Sequence, residues 1–165
     1  MKLMFLAARP WAQEVARQFN GDYITSPLDI NNALWYNKPD IVFSLHWHWK
    51  IHPDLCKNFN IIGFHSADLP KFRGGSPILN QLKAGITKTK LTAFRVAEKF
   101  DAGNILLKRD LTLDSDPAIM YNRLRNIVPE MIQQIMDGNY VETPQDDTQA
   151  TFHSRKDAST FQTFH

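Results

Sequence analysis

Unbroken apolar runs and helically spaced apolar stripes alternate along this chain, and each predicts a different element. Leu3 to Ala8 is continuously apolar, and Ile41 to Leu45 is strongly apolar with Ser44 as its one polar position. A run without polar alternation is the mark of a strand covered on both faces. Between them Trp11, Val15 and Phe19 recur every fourth residue on one helical face, opened by Pro10 and ended at Gly21. Tyr23 to Thr25 reads as a short strand, Asn31 to Tyr36 as a weak helical segment and Pro53 to Lys57 as a short helix. Ile61 to His65 is the next strand. Ser76-Pro77 predicts an N-cap with proline at the first helical position, and Gly85 predicts the stop. Leu91 to Ala97 and Ile105 to Leu113 read as strands joined by the turn that carries Asp101. The last stripe, Met120, Leu124, Ile127, Met131 and Ile135, starts at Asp116-Pro117 and ends at Gly138, with Pro129 predicted to kink or split it.

Strand and helix in alternation predict an α/β fold: a Rossmann-like, mostly parallel sheet with helices on both faces. The first half is short, with little room between Phe19 and Ile41. In such sheets ligands sit beyond the carboxyl ends of strands, where the strand order reverses. His65 stands at such an end. The tail from Pro144 is polar and reads as draped over the surface, mobile from about residue 156.

Composition changes this picture little. A length of 165 residues with 43% hydrophobic and 22% charged positions describes one globular domain, residues 1–165. A net charge of +2 without a basic block gives no reason to expect a nucleic-acid partner. No apolar stretch reaches the roughly 20 residues that cross a bilayer. The N-terminal run is too brief for a signal peptide, and Arg9-Pro10-Trp11 is a poor cleavage site. Cys56, the one cysteine, fits a reducing, cytoplasmic setting.

The candidate chemistry gathers between Ile61 and Gly103. An imidazole at a strand end can act as acid or base near neutral pH. Arg73-Gly74-Gly75-Ser76-Pro77 would let main chain approach a ligand, although it is neither a Walker loop nor a dinucleotide fingerprint. Leu45-His46-Trp47-His48-Trp49 reads as an aromatic pocket wall. With His52 and His65 near in sequence, a zinc hydrolase is the alternative. Taken singly, His65 and Asp101 also have plain structural roles, as a carbonyl-bonded histidine and a turn residue. Trp35 and Phe161 are aromatics that could mark an oligomer interface.

Phe64-His65-Ser66-Ala67-Asp68-Leu69-Pro70-Lys71-Phe72-Arg73-Gly74-Gly75-Ser76-Pro77, then Ala84-Gly85, then Glu98-Lys99-Phe100-Asp101-Ala102-Gly103-Asn104-Ile105-Leu106, resembles the signature of the formyltetrahydrofolate-dependent formyltransferases. That family includes glycinamide ribonucleotide, methionyl-tRNA and sugar-nucleotide formyltransferases. Gln149-Ala150-Thr151-Phe152 is also similar to it. The resemblance implies N10-formyltetrahydrofolate as co-substrate and no metal. It implies His65 as catalytic acid and stabiliser of the oxyanion, and Asp101 as the carboxylate that tunes it. Folate contacts carry over to Leu45, His46, Trp47, Gly75 and the stretch Ala97, Glu98, Lys99, Phe100 and Asp101. The family usually places Asn two residues before the histidine, where this chain has Gly63. Asn80 is the first expected substitute and Asn104 the second. A main-chain N–H or a water could serve in their stead, or the site could be inactive.

For the acceptor, the C-terminal tRNA-binding domain of methionyl-tRNA formyltransferases is not expected here, and Phe64-His65-Ser66-Ala67-Asp68-Leu69-Pro70 with Gly74-Gly75-Ser76-Pro77 is similar to a compact subgroup of sugar N-formyltransferases from pseudaminic-acid-type routes. That implies the amine of a nucleotide-linked 4-amino-4,6-dideoxy sugar. Glycinamide ribonucleotide, a carrier-bound amino acid, and a non-catalytic folate- or sugar-binding relic stay open.

Overall fold

The computed structural model describes residues 1–162, with side chains described to Ala158. Six strands form the main sheet: β1 (Leu3–Leu6), β2 (Asp22–Ile24), β3 (Ile41–Ser44), β4 (Ile61–His65), β6 (Lys88–Arg95) and β7 (Ile105–Thr112). Their order is β2-β1-β3-β4-β6-β7. The first four pair in parallel. β6 runs antiparallel to both β4 and β7. The mostly parallel α/β sheet expected from the sequence is therefore present, with its switch of strand order between β1 and β3.

The continuous apolar runs are explained by burial on both faces. Leu3, Phe5, Ile41 and Phe43 face one core under α1 (Pro10–Gln18) and α5 (Pro117–Met136). Met4, Leu6, Val42 and Ile61 face the other, under α2 (Ile30–Asn37) and α3 (Pro53–Asn58). Each such Leu, Ile or Phe contributes about 1.5–3 kcal/mol on burial, which holds the strands in the register that fixes where their carboxyl ends open.

Three local features bear on these expectations. Pro129 does not split α5, which runs unbroken for 20 residues; Met120, Leu124 and Val128 before it and Met131, Ile132 and Ile135 after it are all buried. That apolar contact offsets the roughly 3 kcal/mol a proline costs inside a helix. Ser76 is left-handed (φ 46°) and makes no capping hydrogen bond to α4 (Pro77–Lys83). The described part of the tail, finally, packs against the rest of the fold. Its strand β8 (Phe152–His153) pairs in parallel with β5 (Arg73–Gly74), giving a second, two-stranded sheet. α6 (Arg155–Gln162) packs on α4 and buries Ala158. Ser154 and Asp157 cap α6 reciprocally: Ser154 N–H donates to Asp157 Oδ2 (2.8 Å) and Asp157 N–H to Ser154 Oγ (3.2 Å). Of the candidate interface aromatics, Trp35 is 44% exposed and tilts edge-on to Phe59; the Phe161 side chain lies outside the described residues. No described helix is long and apolar enough to cross a membrane.

Candidate active site

β4 delivers His65 to the carboxyl edge of the sheet, where it is only 7% exposed. One ring nitrogen, Nε2, donates to Phe72 O at 2.7 Å. The other, Nδ1, lies 3.8 Å from Asp101 Oδ2. Asp101 sits on the turn between β6 and β7 in the left-handed region (φ 53°), a conformation that Asp and Asn tolerate better than other non-glycine residues. Its Oδ2 accepts the N–H of Gly74 at 2.8 Å. The fold thus brings together the two groups that are far apart in sequence.

Gly63 is filled from the side. It pairs with Phe94 across β4 and β6. A Cβ on Gly63 would stand 3.0 and 3.1 Å from two Phe94 ring carbons and 3.1 Å from Val96 Cγ2. The Phe94 ring also meets His65 edge-on, with centroids 6.5 Å apart. An aromatic ring therefore occupies the space in which the family's Asn would project.

Asn80, the first expected substitute for the missing amide, is engaged by main chain. Asn80 is buried, and its Nδ2 donates to Gly75 O (2.9 Å) and Ser154 O (3.0 Å). Both N–H groups are spent on main-chain carbonyls, so Asn80 ties α4 to the tail. Asn104, the second choice, is exposed and reaches Glu142 Oε1 at 3.4 Å.

The expected folate contacts divide. Ala97 and Glu98 line a cavity of about 460 Å³ with Cys56, Lys57, Arg95, Val96 and the turn 102–104. Lys99 and Phe100 face a separate cavity of about 280 Å³ with Arg73 and the tail residues 150–152. Leu45 is fully buried and its N–H donates to Leu6 O. Gly75 is covered: its N–H donates to His153 O, and a Cβ there would lie 2.6 Å from Arg155 Cγ. Gly74 (φ 106°) leaves only 2.0 Å between an added Cβ and His153 O. The close approach that these glycines permit is made by the tail.

The aromatic wall lies at the switch point. His46 is edge-on to Trp11 and Tyr121, and Trp47 is edge-on to Trp49 with centroids 4.8 Å apart. Burial, with Arg9, His48 and Arg155 close by, holds the His46 imidazole down at about 4, so it is neutral at pH 7. His48 is lowered as well, by desolvation and then by Arg155 and Arg9. Arg155 is anchored there, donating to His48 O at 2.8 Å. His52 is turned to its own helix, where Nδ1 accepts from Asp54 N. Among the described residues no group of three or more His, Cys, Asp or Glu side chains is arranged to hold a metal ion.

A formyl transferase family model matches residues 26–136. The chain belongs to the formyl transferase family. Methionyl-tRNA formyltransferase from Staphylococcus aureus (strain Newman) is 34% identical over 103 residues, 59% of this chain and 33% of that protein. The match therefore spans about a third of the length of that curated relative. Methionyl-tRNA formyltransferase from Clostridium thermocellum superposes with a TM-score of 0.87 at 29% identity, over 93% of this chain and 72% of that one. The formyltransferase PseJ from Anoxybacillus kamchatkensis, solved with UDP-4,6-dideoxy-4-formamido-L-AltNAc and tetrahydrofolate, superposes with a TM-score of 0.73 at 22% identity, over 98% and 89%. At that identity the second structure speaks for the fold alone.

Three site residues leave little or no mark in the sequence: Phe94, Arg155, and Gln145, whose side chain bonds Arg73 and the Asp101 turn. Gln145 and Arg155 act through hydrogen bonds to partners far off in the chain, which no local spacing reveals. Phe94 had a faint signal, because a glycine inside an apolar strand implies a neighbour that fills its side.

Proposed function

We propose that this formyl transferase domain moves a formyl group from N10-formyltetrahydrofolate to the amine of a nucleotide-linked amino sugar. The observation that carries the reading is the His65–Asp101 pair, 3.8 Å apart, with Asp101 on the turn whose residues 102–104 wall the 460 Å³ cavity. The lining of that cavity supports the co-substrate reading: apolar Val96, Ala97 and Ala102 beside polar Lys57, Arg95, Glu98 and Asn104 suit a flat heteroaromatic ring edged with donors and acceptors. Bound there, formyltetrahydrofolate would supply the activated formyl group.

The chain's own groups then have these tasks. The His65 Nε2–H, held by Phe72 O in the resting protein, is the donor to the formyl oxygen as negative charge builds. Losing one such donor costs on the order of 10²–10³ in rate. Asp101, pinned by Gly74 N–H, orients the ring from its Nδ1 side and is the carboxylate nearest to receive the amine proton, directly or through water. Asn80 holds the loop against the tail instead of binding the oxyanion. On the acceptor side, Trp47 and Trp49 offer faces for a base, and Arg9 and Arg155 offer charge for a diphosphate.

A second reading is favoured by the same atoms. The Phe94 ring beside Gly63 and the committed amide of Asn80 leave the oxyanion with His65 as its side-chain donor, which suits a folate-binding protein without turnover. One experiment separates the two: formyltetrahydrofolate incubated with UDP- and dTDP-amino sugars, glycinamide ribonucleotide and methionyl-tRNA, read by mass. A formylated nucleotide sugar supports the proposal. Product only from glycinamide ribonucleotide or tRNA rejects the acceptor. Folate binding without product from any acceptor rejects transfer.

A further inference from the structure

Gln145, in the segment that follows α5, makes four side-chain hydrogen bonds across the site. Its Oε1 accepts from Arg73 Nε (3.1 Å) and Nη2 (2.9 Å). Its Nε2 donates to Asp101 O (2.8 Å) and Gly103 O (2.7 Å). Arg73 is the middle of a tripeptide whose neighbours both hold the reacting pair: Phe72 O accepts from His65, and Gly74 N–H donates to the Asp101 carboxylate. The bonds close into a ring, from Asp101 O through Gln145 and Arg73 to Gly74 N and back to Asp101 Oδ2. We propose that Gln145 is a positioning residue of this site, clamping the left-handed Asp101 turn to the Arg73 loop and so setting the His65–Asp101 separation. The inference rests on the formyl-transfer reading for its kinetic consequence, but not for its geometry. A strained turn keeps its conformation only where its surroundings over-determine it, and Gln145 supplies two of the bonds that do so.

Two substitutions divide the side chain's functions. Gln145→Glu keeps the acceptor for Arg73, removes both donors and sets a carboxylate against two carbonyls. Gln145→Ala removes everything. If Gln145 positions Asp101, both variants lose kcat on the order of 10²-fold, the scale expected when reacting groups are misplaced by about 1 Å, with KM for both substrates changed less than about threefold. In both, amide hydrogen exchange at Gly74 and Ala102 speeds up by about tenfold or more while α5 keeps its protection. Wild-type kinetics and exchange in Gln145→Glu, with only Gln145→Ala impaired, would make Gln145 a support for Arg73 and overturn the proposal. Failure of both variants to fold would overturn it too, as a purely structural role. Should the unmodified protein formylate no acceptor, the proposed function fails, and the exchange measurement decides the role of Gln145 by itself.

Discussion

Replacing Gly63 by Asn restores, in chemical terms, the amide that the family places beside its histidine. The structure makes this an overpacking substitution. The Cβ alone would lie 3.0–3.1 Å from Phe94 and Val96, against about 3.5–4.0 Å for unstrained carbon contacts. Gly63→Ala should therefore be near neutral, since a small shift of two side chains is set against the entropy that alanine removes from the unfolded chain. Gly63→Asn adds three more heavy atoms in the same direction. Overpacking costs about 1–3 kcal/mol, and a buried amide without partners costs about 1–3 kcal/mol more, for roughly 2–6 kcal/mol in total. In a domain of this size that is on the order of 10 °C in Tm, measured by circular dichroism. Gly63→Asn combined with Phe94→Leu should lose less than the sum of the single changes, by roughly 1 kcal/mol or more, because the two side chains compete for one space. If the missing amide limits turnover, the double variant also gains rate, up to the order of 10²-fold. A Gly63→Asn protein as stable as wild type, or strictly additive single effects, would refute the claim that Phe94 fills this position.

The remaining expectations concern the reacting pair, the buried histidine and the buried arginine. Asp101→Asn keeps the left-handed turn and the acceptor for Gly74 N–H, so it should stay folded within about 1 kcal/mol while losing rate on the order of 10²-fold; Asp101→Val should also lower Tm, because a β-branched residue is strained at φ 53°. Equal stability of the two variants in urea would contradict the turn argument. His46 is held at about 4 against the ordinary 6.5, so protonation favours the unfolded chain. Its contribution is complete above about pH 6.5 and drains away toward pH 4, at about 1.4 kcal/mol per pH unit and roughly 3 kcal/mol in all. Urea titrations at pH 7 and pH 5 should show a loss of about 2 kcal/mol from this source, absent in His46→Asn; an identical loss in that variant would remove His46 as its cause. Arg73→Lys breaks the forked contact with Gln145 and should cost about 1.5–3 kcal/mol by denaturant titration, whereas a loss below about 0.5 kcal/mol would show that the fork is not what matters there.

Much of the sheet was legible in the sequence. The runs at Leu3, Ile41 and Ile61 are apolar on both faces, and only a strand between two helical layers needs that pattern. The stripe from Met120 to Ile135 named its helix for the same reason, and Pro129 misled because local geometry ignores the burial on either side of it. His65 and Asp101 could be picked out because each stands at an element's end within a motif, and the family model agrees with the resemblance those motifs carry. The sequence could not say that the two meet, nor what surrounds them. That Phe94 fills the side of Gly63 follows from the β4–β6 register. That Asn80 is spent on Gly75 and Ser154, and that Gln145 clamps the Asp101 turn, follows from where the tail returns. Periodicity records which side of an element is buried, a property of neighbouring residues. Hydrogen bonds between residues more than 40 positions apart leave no periodic trace, so the inner wall of the site was decided only by the tertiary fold.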